Sequence, residues 1–330
     1  MLTVTLYCRN GSAECNQARL DLQALREKIP HQIVEVNVEK DSSLDRSFGN
    51  EIPVIDIGPY RLRSPFTQQD LQVALSAAQD RQSHLEQVGD KTYHARIQRG
   101  HTLSKADRFT NWFSKHYMLV FNMFFLLYAG LPWLAPIFMK IGATSPARVI
   151  YTIYSPLCHQ LAFRSWFLFG EQTDYPLAMA SVPGLTFEQV TGLTKEDVLA
   201  ARAFDGNSLL GYKVAFCERD ATIYASILLF GLIFAVTGRK LKSVPWYLWM
   251  IIGIVPIAVD GFSQLPDLLN TVLPAWVPIR ESTPFLRAIT GFLFGFMTAW
   301  YGFPFIEDSM RETRRMLAQK IAFVAQSTKA

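Results

Sequence analysis

The sequence predicts an α/β domain at the N-terminus followed by an all-α transmembrane helical bundle. Three observations lead there. In the first third, strand-period and helix-period apolar patterns alternate as in ordinary soluble sequence. From Tyr117 onward, aromatic and aliphatic runs long enough to cross a bilayer stand between short charged stretches. Half of the 330 residues are apolar and 13% are Phe, Trp or Tyr, an average over two solvents. The net charge of +4 is small and dispersed, so it points to orientation in a membrane and to lipid as a partner, with no nucleic acid. The opening MLTVTLYC lacks the basic start, apolar stretch and cleavage site of a signal peptide, which places the first domain in the cytoplasm. Of four cysteines, Cys8 and Cys15 fall in the soluble part and Cys158 and Cys217 in the membrane part, so each pair has its own redox compartment.

The first domain spans 1–84. Leu2 to Tyr7 alternate as a buried strand, CRNGSAEC forms a tight polar turn, and Cys15 to Leu25 carries a helical stripe through Ala18, Leu20, Leu22 and Leu25. A second strand is expected over Gln32–Val38 and a short helix around Ser42–Phe48. Ile52 and Pro53 precede a strand, Val54–Ile57, either through a cis bond that presents backbone to a ligand or as the trans start of an edge strand. Beyond the turn at Gly58-Pro59 comes a strand, Tyr60–Leu62. A helix then starts at Thr67, with Asp70 as its capping-box partner, and runs to about Gln82.

This order of elements, the turn before the first helix and Ile52-Pro53-Val54 resemble the glutaredoxin-like branch of the thioredoxin superfamily over roughly Met1 to Gln82. The resemblance implies an α/β thioredoxin-like fold and a CxxC motif whose first cysteine is the nucleophile and whose second resolves the mixed disulfide. Tyr7, Arg9 and Gly11 hold their places and Cys15 takes the resolving position, but Ser12 stands where the nucleophile belongs. A serine hydroxyl cannot exchange thiols without a dedicated base, and none is adjacent. Ser12, Cys15 and Pro53 are the candidate cofactor-binding residues that the resemblance implies. Three readings stay open: Cys8 as a substitute partner for Cys15, a degenerate fold that docks a cytoplasmic protein partner, or glutathione binding and single-thiol activity through Cys15.

Residues 85–116 read as a basic juxtamembrane linker, with Lys91, Arg96, Arg99, Lys105, Arg108 and Lys115, and with His94, His101 and His116 as surface residues. The membrane domain, 117–306, carries four apolar spans: about Tyr117–Met139, Thr222–Val236, Trp246–Asp260 and Phe285–Phe305. A fifth apolar segment, Ala147–Phe169, is interrupted by polar residues and Pro156. If it re-enters or lies along the interface, the basic linker, the loop with Arg239, Lys240 and Lys242 and the 307–330 tail all lie in the cytoplasm, and the acidic Glu171–Lys213 loop lies outside. Both termini are then cytoplasmic, and Gly291 and Gly295 let the last span pack closely on a neighbour.

That topology gathers the unusual polar residues at the outer end of the bundle, where ionisable groups mark a site. A second resemblance rests on Cys158-His159-Gln160 followed by Arg164-Ser165, Cys217-x-Arg219, Asp260-Gly261 with Gln264, and Leu286-Arg287 with Thr290-Gly291. In order, these motifs look like a family of small prokaryotic membrane proteins catalogued as a domain of unknown function, over roughly Ile150 to Tyr301. Relatives often carry Cys-x-Arg-Cys, and here Asp220 replaces the last cysteine. Three readings remain. Cys158, His159, Cys217 and Asp220 or Asp260 form a donor set for Zn or another transition metal, provided the chain turns near Pro156, because adjacent side chains on a helix diverge by about 100°. Alternatively Cys158 and Cys217, the thiol candidates with Cys15, form an exchanging disulfide. Otherwise Gln160, Arg164, Arg219, Gln264, Glu281 and Arg287, with the acids, are a structural polar network. The function predicted is a redox- or metal-linked membrane protein, or else a scaffold or transporter-like binding protein whose soluble domain docks a partner.

Overall fold

The structure, a computed structural model, describes residues 2–40, 45, 48, 51–88, 100, 102–264 and 280–327. Most of the helix expected at Ser42–Phe48, and Lys91, Arg96, Arg99, His94 and His101, lie outside the described residues. The chain divides into two compact units, Met1–Tyr117 with Glu307–Ala330, and Met118–Ile306.

In the first unit, β1 (Leu2–Cys8), α1 (Ala13–Leu25), β2 (His31–Asn37), β3 (Val54–Ile57), β4 (Tyr60–Arg63) and α2 (Gln68–Val88) follow one another. The sheet order is β2-β1-β3-β4. β1 runs parallel to β2, with Leu2 opposite His31 and Cys8 opposite Asn37. It runs antiparallel to β3, with Val4 opposite Ile57, and β4 closes the edge antiparallel to β3. This is the thioredoxin-like mixed sheet that the sequence predicts. Strand alternation sends Val4 and Leu6 into one core with Leu22, Ile55, Leu71 and Leu75, and sends Tyr7 into a second with Val36, Val38, Phe48 and Val54.

Leu20, expected on the apolar stripe of α1, is 59% exposed, because the buried face runs through Cys15, Ala18, Leu22 and Leu25. The Ile52-Pro53 bond is cis. Thr67 and Asp70 cap α2 reciprocally: the Thr67 N–H donates to Asp70 Oδ2 (2.7 Å) and the Asp70 N–H to Thr67 Oγ1 (3.2 Å). These bonds hold the Asp70 carboxyl below its usual value.

The 307–330 segment, expected as a tail, groups with this unit. Ala318 and Ala322 pack against the Tyr7 core. Arg314, buried, donates to the Ser114 carbonyl and to Glu307, both at 2.6 Å, and Glu307 also accepts the Tyr117 hydroxyl at 2.7 Å.

The longer helices are α3 (Lys105–Lys140), α4 (Thr144–Tyr154), α7 (Glu218–Val236), α8 (Trp246–Phe262) and α9 (Pro284–Ser327). Three of them, α3, α7 and α9, are long and apolar enough to cross a membrane, and α8 is a shorter apolar helix. Within α8, residues Trp249–Ile254 widen into a π-helix, and the Trp249 indole N–H donates to Thr298 Oγ1 on α9 at 3.1 Å. The Ala147–Phe169 segment is not one helix. α4 stops at Tyr154, ahead of Pro156, and the chain continues irregularly to a 3-10 turn at Ala162–Arg164. Between there and α7, β5 (Phe167–Leu168), α5 (Phe187–Thr191), α6 (Val198–Ala203), β6 (Gly206–Asn207) and β7 (Gly211–Lys213) build a small cap with sheet order β5-β7-β6.

α9 lies on α7 through Gly291 and Gly295. A Cβ at Gly291 would overlap Thr222 Oγ1 and the Arg219 carbonyl, and one at Gly295 the Ile223 carbonyl and Ser226 Oγ. Backbone cannot yield as a side-chain tip does, so Gly295→Val is expected to destabilise the protein by about 1–3 kcal/mol. Gly302→Ala, whose Cβ meets nothing, is expected to be neutral. Thermal unfolding in detergent compares the two.

Candidate functional site

α7 begins where the cap ends. Cys217 is its N-cap residue, and Cys217 Sγ accepts the Asp220 N–H at 3.4 Å. The chain leaving α4 brings Cys158 alongside, and Cys158 Sγ accepts the Cys217 N–H at 3.2 Å. One ligand atom from each of Cys158, Cys217 and Asp220 lies within 4.8 Å of the others, and both thiols are free. The hydrogen bond with Cys158, followed by burial, pushes the Cys217 thiol well above its usual value.

A cavity of about 620 Å³ opens beside these atoms, and His159, Gln160, Arg164, Arg219, Gln264 and Arg287 also line it. His159 is exposed and stands outside the tight trio. Gln160 takes a left-handed backbone (φ 53°), which turns the chain after Cys158. Its buried side-chain amide donates to the carbonyls of Tyr151 (2.9 Å) and Ala215 (3.2 Å), tying the Cys158 loop to the strand exit that leads to Cys217. Its own carbonyl accepts Lys213 Nζ at 3.2 Å. Lys213 is fully buried and also pairs with Asp205 at 3.4 Å, and burial pushes its ammonium below its usual value.

Asp260 is not with the sulfurs. The Ser282 hydroxyl lies 2.8 Å from both of its oxygens, Arg280 lies 3.3 Å away, and Arg219 bonds it as well. Gln264 bonds the Asp260 carbonyl at 2.8 Å. A second group runs Arg164, Glu281, Arg287, Glu218. Arg164 holds Glu281 through two bonds of 2.9 and 2.8 Å, Arg287 bonds Glu281, and Arg287 reaches Glu218 at 3.1 Å. Glu218, Glu281 and Arg287 are all buried. The donor set read from the sequence therefore divides, with Cys158, Cys217 and Asp220 adjacent, His159 on the cavity wall and Asp260 in the ion pairs.

Sequence reasoning passed over Glu218, Ser282 and Lys213. Glu218 lies between Cys217 and Arg219, and an acid in a helix's first turn suits the helix dipole, so the sequence alone gives it no other role. Lys213 closes the Glu171–Lys213 loop, whose acidic balance gives no sign that this ammonium is buried.

Comparison with known proteins follows the same division of the chain. The family described as "Predicted membrane protein (DUF2085)" matches residues 203–301, and the family described as "Glutaredoxin-like domain (DUF836)" matches residues 3–76. "Uncharacterized protein MJ1492" of Methanocaldococcus jannaschii is 30% identical over 199 residues, which cover 58% of this chain and 92% of that protein. No solved structure matches.

Removing one member of a buried ionic chain strands the others in low dielectric. Arg287→Ala, which leaves Glu218 without its guanidinium partner, is expected to destabilise the protein by about 3–5 kcal/mol, and replacing Arg287, Glu281 and Glu218 together by apolar residues of similar volume is expected to recover most of the loss. Unfolding in detergent measures both.

Proposed function

The chain belongs to the family of predicted membrane proteins described as DUF2085, with a glutaredoxin-like domain ahead of it, and we propose that its membrane part binds a transition-metal ion on sulfur. The observation that carries this reading is the trio itself, two thiols and a carboxylate with donor atoms within 4.8 Å of one another at a cavity wall. Thiolates favour soft or borderline ions, Zn²⁺ foremost. Three protein ligands would leave a tetrahedral ion one position for water, a substrate or the His159 imidazole, which lines the same cavity. Held by Cys158, Cys217 and Asp220, an ion would supply Lewis-acid chemistry beside the cavity. Gln160 serves as a positioning residue, because its two carbonyl bonds set Cys158 against Cys217.

Charge distribution supports an extracytoplasmic site. Arg239, Lys240 and Lys242 follow α7, and Arg311, Arg314 and Arg315 lie at the far end of α9, a distribution that by the positive-inside tendency favours the cytoplasm for those ends. Cys158 and Cys217 lie at the other end of α7, on the acidic cap's side. A location of that kind also permits oxidation of the two thiols to a disulfide, which is the competing chemistry at the same atoms.

Purified full-length protein titrated with Co²⁺ is expected to take up about one ion per chain and to show sulfur-to-metal charge transfer with a tetrahedral visible spectrum. Cys158→Ser and Cys217→Ser are expected to abolish that band, and Gln160→Ala to weaken affinity by about 10–100-fold. Two thiols that remain free, with no metal uptake, overturn the reading. So does a disulfide that forms quantitatively in the native membrane. In whole cells, a membrane-impermeant thiol reagent is expected to reach Cys217 from outside, and protection there contradicts the orientation.

A further inference from the structure

The other thiol pair lies in the N-terminal unit and joins residues outside the CxxC frame. Cys8, the last residue of β1, is disulfide-bonded to Cys15 in the first turn of α1, with Cα atoms 5.8 Å apart. Ser12, at the place a nucleophile would take, is occupied as the helix N-cap: its Oγ accepts the Cys15 N–H at 3.2 Å and donates to Glu14 at 2.8 Å. Whatever sulfur chemistry this domain performs therefore runs through Cys8 and Cys15.

The two sulfurs differ in surroundings. Cys15 is 1% exposed and belongs to the core built around Leu22. Cys8 is also buried, but it borders a groove of about 600 Å³ that Cys15 does not line. Polar side chains, Asn10, Asn16, Arg19 and Asn37, form much of that groove, and Gly11, with φ of 75°, carries the chain around its rim without a side chain. Lys115 and Ile321 also line it. The volume suits a small molecule rather than a protein surface.

We propose that Cys8 and Cys15 form a redox-active pair that exchanges with a small polar thiol bound in this groove, with Cys8 as the sulfur attacked. In the first step an incoming thiolate bonds to Cys8 Sγ, the Cys8–Cys15 bond breaks, and the electron pair leaves on Cys15, which takes up a proton. Cys15 lies in the first turn of a 13-residue helix, where the dipole favours a departing anion. In the second step another thiolate of the same kind attacks the bound small-molecule sulfur, and Cys8 leaves as a thiolate and is protonated. Two small thiols become one disulfide, and the pair gains two electrons and two protons. The roles are the reverse of those in a CxxC motif, because the helix cysteine departs and the strand cysteine receives.

The test uses the oxidised full-length protein in detergent, treated under native conditions with 2-mercaptoethanesulfonate, quenched in acid, blocked with N-ethylmaleimide and mapped by peptide mass spectrometry. The expected result is a mixed disulfide on Cys8, at least about tenfold over Cys15, since access decides which sulfur is attacked. An adduct mainly on Cys15 overturns the assignment of roles, and a disulfide reduced only after denaturation overturns the redox proposal. A second comparison needs no trapped intermediate. The Cys8 thiol in Cys15→Ser is expected to react with 5,5′-dithiobis(2-nitrobenzoate) at least about tenfold faster than the Cys15 thiol in Cys8→Ser. Equal rates contradict the proposal. Peptide-level readout keeps Cys158 and Cys217 apart from the result.

Discussion

The end of the bundle that bears the cysteines is organised by buried charge. Glu218, Glu281 and Arg287 are nearly inaccessible, and each would be prohibitive alone in a low-dielectric interior. They are tolerated because the chain of pairs from Arg164 to Glu218 passes through all of them. Its members come from the 3-10 turn after α4, the first turn of α7, and the segment that leads into the start of α9. Satisfying those charges therefore constrains three separate segments at once, and two of these carry Cys158 and Cys217. The first residue of α7 is the terminal member of the ionic chain and the direct neighbour of Cys217. The thiols meet where the ion pairs hold the backbone.

Close helix packing supplies the second constraint. Gly291 and Gly295 bring α9 against the α7 backbone over the turns that follow Cys217. Arg287 is one turn before Gly291 on the same helix, so the residues that allow close approach and the residue that pairs the buried acids act on one interface. Asp260, with Arg219, Arg280 and Ser282, fastens the end of α8 to the same region. Polar residues that would destabilise an isolated span thus become the links between segments.

Much of the fold was legible in the sequence because it depends on local pattern. Alternation marked β1, the Ile52-Pro53 step marked the start of β3, the Thr67 and Asp70 pair marked the start of α2, and long apolar runs marked α3, α7 and α9. Other features depend on neighbours. Leu20 fits a helical stripe within the tolerance of counting, yet only the position of the sheet decides which face is covered. The π-helix in α8 leaves no periodic signature in six apolar residues. Ala318 and Ala322, one turn apart, carry an apolar face among the charges of the last segment, and their covering role against Tyr7 needs the sheet to be in place.

The candidate site divides in the same way. Cysteines are scarce, so Cys158 and Cys217 could be picked out by residue type, and Asp220 by its spacing from Cys217. Which acid faces sulfur and which faces guanidinium is a question of direction, and spacing does not answer it. Asp260 and Asp220 are equivalent as donors on paper, but Ser282 and two arginines engage the first. Cys8 and Cys15 were both visible, but their bond depends on where β1 ends relative to the first turn of α1. Across the membrane part, the central claim is that two sulfurs and one oxygen from this chain surround a single ion. X-ray absorption at the zinc edge of the purified, metal-loaded protein tests it most directly. The account predicts two sulfur scatterers at about 2.3 Å and lighter atoms at about 2.0–2.2 Å, and a shell of nitrogen and oxygen alone contradicts it.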